Sequence, residues 1–221
     1  FIDTYDADDN RLQDTWLMGP QYAADGTQIE GTYDKNGEPL VFTKDIPNAT
    51  YTSEMEGYRM NKFEIIEGTT GNSTTDIPVF RYSQVMMMKA ECLLRTGVSG
   101  AGALVTDVRK RAFKENPEKA TVTDEQLKQN SAYQYGYVEN YVVSDPGNQD
   151  AIPFGRMLDE LGWEFVWEMH TRRDLIRFGV FTRKSWLSHK PQGDYRSVFP
   201  IPEATLTSNP NLEQNPNYIS N

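Results

Sequence analysis

The strongest hydrophobic and polar pattern in the chain lies between residues 154 and 181. Read at 3.6 residues per turn, it places one apolar stripe on a helix: Leu158, Leu161, Gly162, Phe165 and Met169. Charged residues at successive four-residue steps form a second stripe: Glu160, Glu164, Glu168 and Arg172. Gly179 then supplies a stop. The pattern predicts one long helix over 154–181, with a dry face and an ion-paired face.

A second helical period runs through residues 79–115. Asp76-Ile77-Pro78 is the predicted start of its first helix. Apolar residues then occur around most of the helix circumference, so we expect this helix to be almost completely buried. They are Val85, Met86, Met88, Ala90, Cys92 and Leu93. Gly97 and Gly100 interrupt the period, which restarts at Leu104, Val108 and Ala112. Two such helices predict an antiparallel α-hairpin, the unit of helical-repeat proteins, and it needs neighbours to bury its faces.

The remaining segments are predicted to be irregular. Residues 1–78 are rich in turns, with hairpin turns at Asp25-Gly26 and Asn36-Gly37, a strand from Gly57, and a mobile loop at 68–76. Residues 116–153 are predicted to be an insertion with a short capped helix at 123–126. The tyrosines at every second position from 133 to 137 would lie on one side of an extended segment, or else pack the insertion onto the helices. Four prolines make 182–221 an extended strap. We therefore expect one region in five segments: 1–78, 79–115, 116–153, 154–181 and 182–221.

Charge and cysteine content restrict the function. The 22 basic and 32 acidic residues give a net charge of −10, which argues against nucleic acid or an anionic membrane surface as the main partner. No apolar run approaches the roughly 20 residues of a membrane span. The single Cys92 falls in a helical pattern and is interpreted as a buried structural thiol. The chain begins at Phe1, so we expect a piece of something longer.

An acidic cluster, Asp6 to Asp9, raises the question of calcium. It does not fit an EF-hand, because Arg11 stands where that loop needs Gly and Leu17 where it needs Glu. A solvated acidic turn is the main interpretation, and a calcium site is the alternative.

Several motifs resemble those of the SusD/RagB family of outer-membrane glycan-binding lipoproteins. The C-terminal tail is the most specific match: Phe199-Pro200-Ile201-Pro202, Asn209-Pro210-Asn211-Leu212 and Gln214-Asn215-Pro216-Asn217-Tyr218. The charged helix is similar to the family's helix at Glu160, Glu164, Phe165, Glu168, Arg172, Asp174, Leu175 and Arg177. Weaker matches are Asp76, Pro78, Arg81, Tyr82, Ala90 and Glu91, then Val108, Arg109 and Arg111, then Gly57, Tyr58, Arg59, Lys62 and Phe63, and Asp9-Asn10-Arg11.

The resemblance implies a mainly α fold of the SusD-like type: tetratricopeptide-type helix pairs, a loop-rich subdomain and short β-hairpins. The match would cover only the C-terminal half of a family member. The resemblance also implies non-catalytic glycan capture at the cell surface, as a peripheral outer-membrane lipoprotein, and delivery to a SusC-like TonB-dependent transporter. It implies no catalytic residue, metal or cofactor.

The charged helix permits two chemical interpretations. Glu164 and Glu168 lie one turn apart, near the carboxyl spacing of a retaining glycosidase, which is about 5 to 5.5 Å. Both would leave the same helix face, however, whereas that enzyme needs them on opposite sides of a sugar. A structural salt-bridge network with Arg172 and Arg177 that holds the helices and the tail is therefore favoured. Asp174 and Arg177 are expected to tie the helix end to neighbouring backbone.

Glycan binding instead needs exposed ring faces on loops that a rigid scaffold holds. Five aromatic residues in loop-like segments are the predicted platforms: Trp16, Tyr22, Tyr33, Tyr51 and Trp186. Asp14, Asn48 and Arg196 are their predicted polar companions. Loop packing is the alternative role of each ring. A helical-repeat scaffold that binds protein without touching sugar is the alternative function.

Overall fold

The computed structural model describes residues 1–48, 50, 52–63, 66, 69–71 and 75–218. Tyr51 and much of the predicted loop at 68–76 lie outside the described residues. Within the described part, the first elements are short: helix α1 (Asn10–Thr15) and strands β1 (Trp16–Leu17), β2 (Gly19–Pro20), β3 (Val41–Phe42) and β4 (Arg59–Met60).

These strands form two small antiparallel pairs, β1 with β4 and β2 with β3. Between β2 and β3 the two predicted turns are present, with Gly26 at φ 85° and Gly37 at φ 79°, in the left-handed region that glycine adopts without strain. Asp9 caps α1 by accepting a hydrogen bond from the Arg11 amide at 3.0 Å. The loop-rich character of 1–78 is therefore confirmed for its described residues.

The predicted α-hairpin is present as α2 (Tyr82–Thr96) and α3 (Ala101–Arg109). Gly97 ends α2 at φ 71°, and the Val98 amide donates to the Leu93 carbonyl at 2.9 Å, which closes the helix end. Asp124 accepts hydrogen bonds from the amides of Gly100 and Gly102 at the start of α3. The Gly102 position is tight, because an added Cβ would lie 2.5 Å from the Val122 carbonyl oxygen.

Two predictions about α2 are wrong. The helix begins at Tyr82 and not at 76–78, and only one side of it is buried. Val85 is 54% exposed, Met88 is 40% exposed, and Cys92 is exposed and not a buried thiol. The helix packs on α3 and on the later helices along the side of Met87, Ala90 and Leu94, and the described residues do not cover the opposite apolar side.

The segment 116–153 contains α4 (Asp124–Leu127), β5 (Gly136–Glu139) and β6 (Val142–Asp145). Thr123 and Gln126 form a capping box on α4, as the sequence predicts. Strand β5 pairs with β6 and, in parallel, with a later strand β7 (Trp186–Leu187). Tyr135 is buried in the core and Tyr133 packs against it, which confirms for these two rings that they attach the insertion to the helices.

The prediction of one helix over 154–181 is wrong, because two helices occupy it: α5 (Gly155–Phe165) and α6 (Thr171–Arg177). Trp167 and Met169 between them have φ values of 67° and 61°, which a helix does not allow. At the end of α5 the Glu164 carbonyl accepts hydrogen bonds from two side chains, those of Lys62 at 3.3 Å and Arg81 at 2.8 Å. Met169, predicted on the dry face, is therefore 75% exposed.

The core lies where α5 crosses the hairpin. Met157, Leu158, Leu161 and Phe165 of α5 pack with side chains of α2 and α3, and with Phe178 and Val180 beyond α6. Gly179, the predicted stop, follows α6 at φ 68°. The tail holds a short helix, α7 (Glu203–Ser208), and otherwise runs irregularly, as four prolines require. None of the described helices combines the length and the apolar composition that a membrane crossing needs.

Candidate functional site

Three glutamates of the charged motif lie buried, two on α5 against α1 and α3, and one just beyond α5 against Lys62 and Arg81. Glu160, Glu164 and Glu168 are 0%, 2% and 2% exposed. Glu160 accepts from Arg109 at 2.6 Å and from Arg156 at 2.8 Å. We call these glutamates with their cationic partners the ion-pair network; the partners are Arg11, Lys62, Arg81, Arg109, Arg111 and Arg156.

Arg81 is the centre of the ion-pair network. Its Nε and Nη2 bind the two oxygens of Glu168 at 2.7 Å and 2.9 Å, and its Nη1 reaches Glu164 at 2.6 Å. Lys62 also binds Glu168, and Arg111 also binds Glu164. Burial disfavours the charged form of Glu168, but the hydrogen bonds from Arg81 and Lys62 outweigh it and lower the pKa of this carboxyl.

The ion-pair network confirms the structural interpretation of the motif and corrects its membership. Arg172 bonds none of the glutamates that the structure describes; it donates to the carbonyls of Arg196 and Ser197 at 2.9 Å and 3.3 Å and so holds the tail. The break after α5 rotates Arg172 away from the glutamate stripe. Arg177 ties α6 to the Glu91 side chain of α2 at 2.8 Å, and to Asp174 at 2.9 Å, rather than to neighbouring backbone.

The glutamates are not arranged as a glycosidase pair. Glu168 lies beyond the end of α5 and its carboxylate is bound by Lys62 and Arg81, while Arg11, Arg81 and Arg111 bind that of Glu164, so the two carboxylates face shared cations and not an open cleft. Their chemistry is that of buried ion pairs, in which removal of one partner leaves an uncompensated charge.

A second feature is a cleft lined by aromatic rings, on the other side of α5. We call it the aromatic cleft; it has a volume of about 230 Å³ and lies between α5, α6 and the β5–β7 sheet edge. Its lining includes Phe1, Tyr133, Tyr135, Phe165, Val166 and Trp186. Tyr133 and Tyr135 meet edge to face with ring centroids 4.7 Å apart, which fixes their orientation.

Trp186 is the predicted platform residue that lines the aromatic cleft. One face of its indole stacks on the His189 imidazole, with centroids 3.7 Å apart and planes 20° from parallel. The tight turn that brings them together is held by the His189 amide, which donates to the Trp186 carbonyl at 2.8 Å. The stacking fixes the plane of the indole, which is half-buried against the core and lines the cleft.

Besides the phenol hydroxyls of Tyr133 and Tyr135, two buried carboxylates and the Thr171 hydroxyl are polar groups that line the aromatic cleft. Asp159 accepts from the Ser131 hydroxyl at 2.5 Å and the Ala132 amide at 2.7 Å. Burial raises its pKa to about 6, and these two bonds only partly offset it. Asp174 is bound by Arg177, whereas Thr171 is exposed at the cleft.

Among the other predicted platform residues, the three that the structure describes do not line this cleft. Trp16 is half-buried on β1 and packs against Trp167, with centroids 5.1 Å apart. Tyr22 and Tyr33 lie between β2 and β3 and are 58% and 82% exposed. The predicted polar companions are also dispersed, with Asp14 exposed on α1, Asn48 in the loop after β3, and Arg196 in the tail. Their role in sugar contact stays a prediction.

The Asp6 to Asp9 cluster is occupied by basic side chains. Lys119 binds Asp6 at 3.3 Å and also Asp8, and Arg11 binds the buried Asp9 at 2.6 Å. Asp9 therefore differs from a solvated turn residue. Among the described residues, no group of three or more acidic, His or Cys side chains is gathered as metal ligands are.

Sequence reasoning did not assign the cations of the ion-pair network. Arg11, Arg81, Arg109 and Arg111 all fall inside the motifs quoted above, so motif membership was a usable signal for them. Tyr133 and Tyr135 were noted for their spacing, but nothing in the sequence indicates that their rings meet Trp186 at one cleft.

Comparison with known protein families gives one match over almost the whole chain: the SusD family model covers residues 1–218. The starch-binding protein SusD of Bacteroides thetaiotaomicron is 28% identical over 152 residues, which are 65% of this chain and 22% of that protein. SusD-like protein P25 of Formosa agariphila is 31% identical over 142 residues, or 61% of this chain and 22% of that protein. The chain thus spans only a small part of the curated relatives that it matches.

Solved structures have the same fold. The NanU protein of B. fragilis superposes with a TM-score of 0.59 at 23% identity, over 99% of this chain and 38% of that one. A SusD superfamily protein from Bacteroides vulgatus gives 0.56 at 20% identity, over 97% of this chain and 39% of that one. The predicted mainly α, SusD-like architecture is therefore confirmed.

Proposed function

The chain belongs to the SusD family, and from that premise we propose that it serves in non-catalytic capture of glycans, with the aromatic cleft as a place of sugar contact. The observation that carries the proposal is the position of Trp186. Its ring is fixed on one side by His189 and lines a cleft with Tyr133 and Tyr135. Flat ring faces of this kind match the C–H faces of pyranose rings.

The polar groups of the aromatic cleft support binding rather than hydrolysis. Hydrolysis of a glycoside needs one carboxyl to donate a proton and a second to act on the other side of the sugar. Asp159 is engaged by Ser131 and Ala132, and Asp174 by Arg177. Both are thus held as acceptors within the fold, while the ring faces and the Thr171 hydroxyl remain for a sugar.

We extend the proposal to the setting of the family. A peripheral lipoprotein at the outer-membrane surface would pass its glycan to a SusC-like TonB-dependent transporter. Family membership is what supports this part of the proposal. Its test is co-isolation of the protein with such a transporter from native outer membranes, in detergent, without crosslinking; a protein that elutes with no transporter would contradict it.

Affinity electrophoresis of the protein against plant, host and microbial polysaccharides tests the binding proposal. We expect at least one polysaccharide to retard the protein, and Trp186→Ala to weaken that interaction about tenfold, as loss of a stacking ring predicts. Trp186→Phe keeps a ring and should keep most of the affinity.

Trp167→Ala is the matched control, because Trp167 packs on Trp16 and does not line the aromatic cleft. Circular dichroism should show that each variant is folded. Absence of any retarding polysaccharide would refute glycan capture. Equal loss in Trp186→Ala and Trp167→Ala, or full loss in Trp186→Phe, would refute the role of the cleft. Sugar release from a tested glycan would revive the glycosidase alternative.

One observation favours the alternative of a protein-interaction scaffold. Apolar side chains before and along the outer side of α2 form an exposed group: Ile77, Val79, Phe80, Tyr82, Val85 and Met88. Exposed apolar groups of this kind are typical of surfaces that another polypeptide covers. The scaffold interpretation requires that no polysaccharide binds, so the electrophoresis experiment separates the two functions.

A further inference from the structure

A second cavity adjoins the aromatic cleft, and the stacked rings of Trp186 and His189 lie between the two. We call it the tail cavity; it has a volume of about 270 Å³, and α6, the turn at His189 and the tail form its walls. His189 lines it, while Trp186, on which His189 stacks, lines the aromatic cleft. Arg172, Phe199, Pro200 and Tyr218 of its lining belong to the motifs that carry the family resemblance, whereas Gln192 and Arg196 belong to none of them.

The charge of the tail cavity is opposite to that of the chain. Arg172 and Arg196 both line it, and none of the described residues that line it is Asp or Glu. The chain as a whole carries a net charge of −10. The chain as a whole therefore repels anions, whereas the two guanidiniums make the electrostatic potential at this cavity locally positive.

The two guanidiniums differ in what they contact. Arg172 lies over the rings of Phe181 and Phe199, at 5.0 Å and 4.1 Å from their centroids, and this contact sets its plane. Arg196 contacts the Tyr195 and Tyr218 rings at 4.9 Å and 5.5 Å. Among the described residues, neither arginine forms a salt bridge, in contrast to the arginines that hold Glu160, Glu164 and Glu168.

The remaining lining fits a sugar ring. Phe199 is 70% exposed and presents a ring at the cavity, and Gln192 is an exposed amide with both donor and acceptor atoms. The Nε2 atom of His189 lies 2.9 Å from the Phe181 carbonyl, which can only accept, so this nitrogen carries the hydrogen. Rings for the C–H face, an amide for hydroxyls and guanidiniums for an anion occur together in one cavity.

We propose that the tail cavity is a binding subsite for the anionic group of an acidic sugar, a carboxylate or a sulfate ester, with Arg196 as its main ligand. Guanidinium groups bind both anions through paired, charge-assisted hydrogen bonds. Arg172 contributes its positive charge from a fixed position and retains its bonds to the tail carbonyls. The proposal rests on the proposed glycan capture and narrows the ligand to acidic glycans.

The test compares matched acidic and neutral polymers on the same protein. Polygalacturonate against its methyl ester isolates a carboxylate, and carrageenan against chemically desulfated carrageenan isolates a sulfate. We expect affinity electrophoresis to give at least about tenfold tighter binding of one acidic polymer than of its neutral match. A carboxylate source and a sulfate source are distinguished by which pair shows the difference.

Substitution then assigns the difference to the tail cavity. Arg196→Gln should reduce binding of the acidic polymer about tenfold. It should leave binding of any neutral glycan within twofold. Arg173→Gln is the control, because it changes the net charge by the same amount as Arg196→Gln. Arg173 lies on α6 next to Arg172, pairs with Asp174 and does not line the tail cavity.

Three outcomes would overturn the subsite. They are equal binding of both members of each pair, equal loss in Arg196→Gln and Arg173→Gln, and acidic binding that Arg196→Gln leaves unchanged. If neutral glycans still bind through Trp186 in those cases, glycan capture stands and only the acidic subsite fails. If no polymer binds at all, both proposals fail.

Discussion

Two groups of arginines in this chain have opposite surroundings. Arg11, Arg81, Arg109 and Arg111 are directed at buried glutamates, and the carboxylates that they bind are at most 2% exposed. Arg172 and Arg196 lie at the open tail cavity, against aromatic rings, and among the described residues no carboxylate binds them. The side chain is the same, and its partner decides whether it stabilises the fold or stays accessible to a ligand.

The two groups of arginines have different roles in the architecture of the charged motif. The guanidiniums of the ion-pair network bridge α5 to residues far away in sequence, so they fix how α5 meets α1, α3 and the segment before α2. Arg172 is only four residues beyond Glu168, yet the left-handed residues at 167 and 169 direct it elsewhere. The left-handed backbone at two residues thus directs Arg172 to the tail and away from the buried glutamates.

The largest expected effect comes from Arg81→Ala. It removes three hydrogen bonds to Glu164 and Glu168 and leaves both carboxylates buried with fewer cations. Breaking a buried ion pair in this way costs about 3–5 kcal/mol. Urea unfolding should show a loss of that size, and a loss below about 1 kcal/mol would contradict the ion-pair network as a main determinant of stability.

A smaller effect is expected from pH, through two neighbouring acids on α5. Glu160 is paired with arginines, but the described donors to Asp159 are a hydroxyl and an amide, and burial raises its pKa to about 6 against an ordinary 3.8. Because the folded chain holds this proton more tightly, Asp159 stabilises the fold below pH 4, and the contribution is lost as pH rises to 6. The loss is about 2–3 kcal/mol.

Asp159→Asn should remove that part of the pH dependence. The measurement is the free energy of unfolding at pH 4.5 and at pH 7, for the original chain and the variant. We expect the variant to lose less stability over this interval than the original chain. Identical pH profiles would mean that the Asp159 carboxyl titrates as it does in the unfolded chain.

A local effect is expected from Arg172→Ala. The substitution removes two contacts with aromatic rings and the bonds to the carbonyls of Arg196 and Ser197. Each cation–π contact contributes about 0.5–1 kcal/mol. We expect proteolytic cleavage in 194–218 to accelerate while the helical core resists; an unchanged cleavage rate in the tail would show that Arg172 does not hold it.

The smallest effect on stability is expected from Arg196→Ala. Its guanidinium is exposed and no described carboxylate loses a partner, so the substitution removes only the contacts with the Tyr195 and Tyr218 rings. The free energy of unfolding should therefore fall by only about 1 kcal/mol. Urea unfolding beside Arg81→Ala gives the direct contrast. A loss comparable to that of Arg81→Ala would place Arg196 among the structural arginines and remove the basis for the comparison.

Local signals in the sequence predicted a large part of this fold. The α-hairpin, its glycine break, the capped helix at 124–127 and the turns at Gly26 and Gly37 all depend on residues close together in the chain. The charged motif also indicated a salt-bridge network, because acids that follow a helical period beside arginines rarely have another structural use. For these elements the periodicity and the turn residues were sufficient.

Features that depend on distant residues were predicted less well. The prediction of one long helix is wrong because the Glu164 carbonyl accepts from Lys62 and Arg81, some 80 to 100 positions earlier in the chain. In a continuous helix, that carbonyl would accept from an amide of the next turn. The outer side of α2 and Cys92 were predicted to be buried, since an apolar periodicity does not say which side has a neighbour. Of the five predicted platform rings, the structure brings only Trp186 to the cleft with Tyr133 and Tyr135, among those it describes.

The sequence by itself determined the α-hairpin, the glycine turns, the family and the presence of a charged motif, because each depends on short-range spacing. Tertiary structure decided which arginines bind the buried acids, where the charged helix ends and which rings share a cavity. The physical reason is that a carboxylate or a carbonyl bonds whichever donor the folded chain brings to it, and that donor can come from any position in the sequence.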